Sequence, residues 1–256
     1  MFIYPLFGSC CPGGFSSYIL SKNLRSTGTG ISLPTQDGGH EFLLEENLRS
    51  RLDLNFTDLT TYQLGPTFIN DPQLNPLPFN ATTHRCDLVL LDGHPLRPST
   101  QSSHDHQMMS NLLLISQLII GLQAVTTSGT IVMKLAKPER KVTAKIMCMF
   151  DMLSIHLASW KPVCMHATRD TFYIVAKGVG YGKQGYRLQD WLNRLKWLWV
   201  NMKYGPMFAS KRLLNDADLD FIVSNLELET IFRDRLQQLS AHIWQVQVSS
   251  LKGWGI

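Results

Sequence analysis

The sequence has no uninterrupted run of about 18 apolar residues, so it offers no expected membrane span. It also has no Cys-x-x-Cys spacing. Its five cysteines (Cys10, Cys11, Cys86, Cys148 and Cys164) form an odd, scattered set. That pattern argues against a disulfide framework and predicts reduced thiols in a cytosolic or nuclear-type compartment. The opening MFIYPLFGSCCPGGF is apolar but lacks a positively charged start, and glycine and proline follow within a few residues. No secretory signal is expected from it, and the sequons at Asn55 and Asn80 are then accidental. No internal repeat or low-complexity tract is present. Acidic residues are scarce in one stretch only: Ile131–Arg212 holds 15 Lys/Arg against 4 Asp/Glu, while the remainder holds 9 against 16. A basic half suits a polyanionic partner, and it equally suits a solvated, lysine-rich surface.

What is present is a globular composition, 44% hydrophobic and 17% charged over 256 residues. That length accommodates one sizeable α/β domain plus an appendage. Short β-rich runs alternate with helical patterns, as in a doubly wound sheet. The strand candidates are Phe2–Phe7, Gly30–Leu33, Leu52–Phe56, Cys86–Asp92, Thr130–Leu135 and Thr171–Lys177, with a short extended piece around Trp160–Val163. The helix candidates are Gly14–Arg25, Glu41–Arg51, Ser102–Val125 and Glu139–His156, with apolar residues recurring every three or four positions. Gly65–His84 reads as a long surface loop. After Gly178 the pattern turns helical, which divides the chain into residues 1–180 and a C-terminal extension, 181–256. In that extension Trp191, Leu195 and Leu198 share one helix face, expected to pack rather than to stack bases.

Three motifs carry the chemistry. Cys10-Cys11-Pro12-Gly13-Gly14-Phe15 joins the first strand to the first helix. A glycine pair there lets backbone N–H groups approach a ligand, and the helix N-terminus favours an anionic group. A turn after strand one is where doubly wound folds bind ligands. Next, the apolar run Cys86–Leu91 ends at Asp92-Gly93, placing an acid at a strand end; a plain turn-capping carboxylate fits as well. Third, Ser128-Gly129-Thr130-Ile131-Val132-Met133-Lys134 closes an apolar strand on a lysine. Burial there would perturb its pKa, whereas a lysine snorkelling from the strand end would be unremarkable. His94, His104, His106 and Asp105 crowd the following segment. A metal site is conceivable from them, and a solvated loop bordering a cleft is the preferred reading.

The ordered set of Pro-Gly-Gly turn, Asp-Gly strand end and strand closing on lysine resembles the FtsJ-like (RrmJ-type) RNA ribose 2′-O-methyltransferases. Lys161-Pro162 and the segment from His166 through Thr168-Arg169-Asp170-Thr171-Phe172-Tyr173 to Gly178 resemble that family's closing motif. The resemblance implies a Rossmann-like class I methyltransferase sheet flanked by helices, S-adenosyl-L-methionine as cofactor, and an RNA substrate, with neither DNA nor membrane as partner. It implies that Pro12, Gly13 and Gly14 hold the methionine part of the cofactor, with Phe15 also a cofactor-binding residue. Asp58 corresponds to the acid at the adenine edge. Ser32 stands where the family has an acid at the end of strand two. Of the family's Lys-Asp-Lys-Glu catalytic set, Asp92 matches the aspartate and Lys134 the second lysine; Asp92 also borders the cofactor.

The sequence departs from the family in three places. The first catalytic lysine would lie upstream of Met1, and Lys22 is not a match. Phe7-Gly8-Ser9 replaces the usual Asp-Leu-Gly, and Pro5 falls inside an expected central strand, where its missing N–H would break a ladder bond. A truncated N-terminus, with catalysis impaired accordingly, is the expectation. The glutamate position falls on Thr171, and Asp170 beside it faces the other way along a strand. Two other readings compete with the RNA methyltransferase: a non-catalytic module of the same fold that binds cofactor or RNA, and a methyltransferase acting on a small molecule or protein.

Overall fold

The computed structural model describes residues 3–82, 84–95, 103–163, 167–205 and 212–252. Phe2, Thr83, Ser102, Cys164 and His166, which figure in the expectations above, lie outside them. Two compact units are present, Met1–Gly129 with Leu192–Leu214, and Thr130–Trp191 with Asn215–Ile256.

The first unit is built on four parallel strands, β1 (Pro5–Gly8), β2 (Gly28–Ser32), β3 (Leu52–Phe56) and β4 (Cys86–Leu91), in the order β3-β2-β1-β4. Every residue of β1 and β2 is buried, as expected of parallel strands covered on both faces. Pro5 is the correction to the sequence reading. It opens β1, opposite Leu88 of β4, and a strand's first residue need not donate a ladder bond. The residues before it are tied in: Ile3 N–H donates to Ser26 Oγ at 3.1 Å and Tyr4 N–H to Asp87 Oδ2 at 2.8 Å.

Helix α1 (Gly14–Lys22) follows β1. The expected helix over 41–51 shrinks to α2 (Glu46–Arg49). Its upstream part is held extended because Leu43 N–H donates to the Pro12 carbonyl at 2.8 Å, and the Arg49 side chain donates to the Leu44 carbonyl at 2.8 Å. Helix α3 (Ser103–Ala124) buries Leu112, Ile115, Leu118, Ile119, Ile120 and Leu122. By length and a mean hydropathy of 1.2 it is apolar enough to cross a membrane, and 56% of its apolar window is buried inside the protein. Leucine and isoleucine outweigh the serine, glutamine and asparagine that interrupt the run.

The second unit contains three antiparallel strands in the order β5-β7-β6. They are β5 (Val125–Ala136, from Thr130 onward in this unit), β6 (His156–Trp160) and β7 (Thr171–Lys177). Strand β6 replaces the extended piece expected around Trp160–Val163. Burial alternates along β7, with Phe172, Ile174 and Ala176 inside, the pattern of a sheet packed on one face. Helix α4 (Lys141–Leu153) is buried at ten positions, among them Met147, Phe150 and Lys145. The buried Lys145 ammonium donates to the Asp216 carbonyl at 2.8 Å and pairs with Asp220. Helix α5 (Leu188–Tyr204) begins in this unit, and α6 (Asn225–Thr230) and α7 (Arg233–Lys252) complete it. Trp191, Leu195 and Leu198 are all buried, as their shared face predicts.

Candidate active site

The carboxyl ends of the four parallel strands open onto a cavity of about 590 Å³. That position and size suit a small-molecule ligand. Ser9 and Cys11 line it from the end of β1, Ser32 and Leu33 from β2, Asp58 to Thr61 from beyond β3, and Gly93 to Pro95 from beyond β4. A second cavity of about 420 Å³, by Val163, His242 and Val246 of the other unit, offers no carboxylate and no lysine or arginine.

The β1–α1 turn is shaped by its backbone. Ser9 and Cys10 N–H groups both donate to the Ile31 carbonyl, at 2.8 and 3.1 Å, which bends the chain over the end of β2. The Cys11–Pro12 peptide is cis. Gly13 then takes φ 125°, in the region that a side chain disfavours. A Cβ on Gly14 would meet nothing within 4 Å, so the first turn of α1 is open to an approaching group. Phe15 follows at 40% exposure. Cys11 N–H donates to Ser32 Oγ at 3.4 Å, so the hydroxyl expected at the ligand is also committed to the turn. A hydrogen bond from the Cys10 thiol holds the Cys11 thiol below its ordinary pKa, against the opposing effect of burial.

Asp58 caps the short helical turn Leu59–Thr61, accepting from Thr60 N–H at 2.8 Å. Asp92 N–H donates to the Gly8 carbonyl at 3.1 Å, fixing the acid just past the end of β4. The next residue, Gly93, is gripped by the buried Gln117 of α3: Gly93 N–H donates to Oε1 at 2.8 Å.

Sequence reasoning missed Asp37 and His40, which line the same cavity. After β2 the chain doubles back: Asp37 and Gly39 N–H groups both donate to the Pro34 carbonyl, and a Cβ on Gly39 would sit 1.9 Å from the Leu33 carbonyl oxygen. The Gly38-Gly39 pair straight after an acid was the available signal. His94 and His106 also line the cavity, but His104 and His106 belong to the first turn of α3 rather than to a loop. Among the described residues no cluster of three or more His, Cys, Asp or Glu could hold a metal.

Lys134 belongs to the second unit, on the less buried face of β5. It stands directly opposite Tyr173, with Ala136 opposite Thr171. Thr171, where the resemblance would put the glutamate, therefore shares Lys134's face. The Asp170 carboxylate pairs with Lys137 at 3.4 Å, and its carbonyl accepts from Lys137 N–H at 3.0 Å.

A model of the FtsJ-like methyltransferase family matches residues 9–179. No curated protein matches the chain. Among solved structures, a Plasmodium falciparum protein assigned as a ribosomal RNA methyltransferase is 16% identical, over 69% of this chain and 86% of its own, with a TM-score of 0.45. An rRNA methylase from Streptococcus thermophilus is 9% identical over 69% and 87%, with a TM-score of 0.40. The N-methyltransferase NodS from Bradyrhizobium japonicum is 12% identical over 69% and 86%, also at 0.40.

Proposed function

Because the chain belongs to the FtsJ-like methyltransferase family, and so is an S-adenosylmethionine-dependent methyltransferase, we propose that it methylates a ribose 2′-hydroxyl of RNA. The observation that carries the cofactor's placement is the cavity at the ends of the parallel strands. It is lined by the carboxylates of Asp37 and Asp58 and, among the described residues, by no lysine or arginine. Such a lining suits a cofactor with net positive charge and a ribose. In this reading the Pro12–Gly14 turn and the N-terminus of α1 receive the methionine part, and Asp58 faces the adenosine part. Phe15 flanks the turn. Ser32 and Asp37 offer a hydroxyl and a carboxylate to the ribose, and the carboxylate is the stronger acceptor.

When bound, S-adenosylmethionine supplies a methyl group on a positively charged sulfur. An alkyl hydroxyl is a very weak acid, so the residue facing it must orient it and take its proton. Lys134 is assigned that role, and it favours ribose over the small-molecule or protein alternative. Asp92 supplies the negative charge that favours a cationic transition state. The basic stretch Ile131–Arg212 suits a polyanionic RNA.

The test is calorimetric titration with S-adenosylmethionine, followed by methyl transfer to capped and uncapped RNA. Lys134→Ala should abolish transfer and spare cofactor binding. A Lys134→Ala variant that still transfers methyl groups would sink the assignment. Wild-type protein that binds cofactor but modifies no RNA would favour the non-catalytic module.

A further inference from the structure

Helix α5 lies beyond the family-matched segment, yet its residues from Leu192 belong to the same compact unit as the cavity. Three side chains near its end reach into that unit. Trp199 is fully buried, and its indole N–H donates to the equally buried Ser116 Oγ of α3 at 3.0 Å. The Lys203 ammonium lies 5.2 Å from the centre of the Trp199 ring and donates to the Thr60 carbonyl at 2.8 Å. Tyr204 hydroxyl donates to Asp71 Oδ2 at 2.6 Å.

These contacts converge on two walls of the cavity. Thr60 is the residue whose own N–H donates to Asp58, so Asp58 and Lys203 hold the N–H and the carbonyl of one residue. Ser116 immediately precedes Gln117, which grips Gly93. Thr60 is 4% exposed, and a buried carbonyl that loses its donor is costly to leave unsatisfied.

We propose that the C-terminal half of α5 braces the cofactor site, with Lys203, seated on Trp199, as a positioning residue. It fixes the Asp58–Thr61 turn and so sets affinity for the adenosine half of the cofactor. This rests on the reading that the cavity holds S-adenosylmethionine with Asp58 toward the adenosine. Lys203 does not touch the ligand; it acts through the Thr60 carbonyl.

The experiment uses the full chain with Lys203→Met, which keeps a stem over Trp199 and deletes the donor, and Lys203→Arg, which restores a donor. S-adenosylhomocysteine and adenosine are titrated calorimetrically, and amide hydrogen exchange is followed without ligand. Lys203→Met should weaken both ligands by a common factor of about ten, the scale of one hydrogen bond to a charged donor. Exchange should accelerate at Thr60 and Thr61 while β1 and β4 keep their protection. Lys203→Arg should recover most of the affinity. Unchanged ligand affinity in Lys203→Met would overturn the proposal, as would a loss of protection spread evenly over β1 to β4. Wild-type protein that binds neither ligand would instead overturn the reading of the cavity. Exchange at Thr60 and Thr61 would then decide the brace alone, with unchanged rates counting against it.

Discussion

Gln117 and Gly93 form a closed pair: Gly93 N–H donates to Gln117 Oε1 at 2.8 Å, and Gln117 Nε2 returns a hydrogen bond to the Gly93 carbonyl at 3.3 Å. The glutamine is 2% exposed, and a Cβ on Gly93 would lie 2.7 Å from its Oε1. One buried side chain thus satisfies both backbone groups of the residue that follows Asp92.

Gln117→Leu keeps the volume and strands both backbone groups of Gly93, so it should destabilise the fold by about 1–3 kcal/mol. It should also lower methyl transfer by releasing Asp92. Urea unfolding and a transfer assay check this together. A Gln117→Leu variant with wild-type stability and transfer would show that the pair holds nothing in place.

Of Cys11, Cys86 and Cys148, Cys11 should alkylate first at neutral pH. The Cys10 hydrogen bond lowers its pKa, whereas burial pushes Cys86 and Cys148 up to about 12, and the thiolate is the nucleophile. Iodoacetamide followed by peptide mass spectrometry ranks the sites. S-adenosylhomocysteine should slow the reaction at Cys11, because this residue lines the cavity. Cys86 reacting first, or no protection by ligand, would count against the arrangement.

Lys145 has a side-chain exposure of 0% and Asp220 of 48%. Asp220→Ala leaves a buried ammonium with a lost partner. It should cost about 1–3 kcal/mol, below the figure for a fully buried pair because the carboxylate is half in water. Lys145→Met removes the charge itself and should cost less. Comparing urea midpoints tests the order, and Lys145→Met proving the more damaging variant would contradict it.

Lys161 is fully buried, donating to the carbonyls of Arg169 and of Thr171, the latter at 2.9 Å. Burial lowers its pKa from 10.5, and the charge of Asp170 opposes this in part. Between the lowered folded value and 10.5 the unfolded chain binds more proton, so Lys161's contribution to stability rises with pH across that window. The stability difference between wild type and Lys161→Met should therefore grow in wild type's favour as pH rises toward 10.5. A flat difference would mean that Lys161 keeps its ordinary pKa.

The strands were legible wherever sequence and packing agreed. Leu52–Phe56 and Thr171–Lys177 were placed to the residue, because β-rich runs there end abruptly in polar or glycine positions. Helix Glu41–Arg51 was over-read. Its periodicity is real, but a tertiary bond from Leu43 to Pro12 overrides propensity, and no local pattern encodes it. Of the candidate site, the Pro12–Gly14 turn was visible because backbone geometry restricts its residue types, and Asp58 through the family resemblance alone. Asp37 and His40 were not, since they reach the cavity only through the reversal at Gly39. Lys203 and Gln117 were invisible for a similar reason: each grips a backbone group far away in sequence.

One tight point of the first unit lies between positions 10 and 30. A Cβ on Gly30 would stand 2.9 Å from Cys10 Sγ, and 3.2 Å from each of Leu52 Cδ2 and Leu54 Cδ1. The sulfur thus occupies space that any other residue in the middle of β2 would claim. Bulk at either position requires its absence at the other, so the two sites share one allotment of volume. As sequences of this lineage diverge, residues 10 and 30 should change as a pair: an alanine at 30 should arrive with a glycine or alanine at 10. A residue beside the ligand cavity is thereby tied to the interior of a strand, twenty positions along the chain.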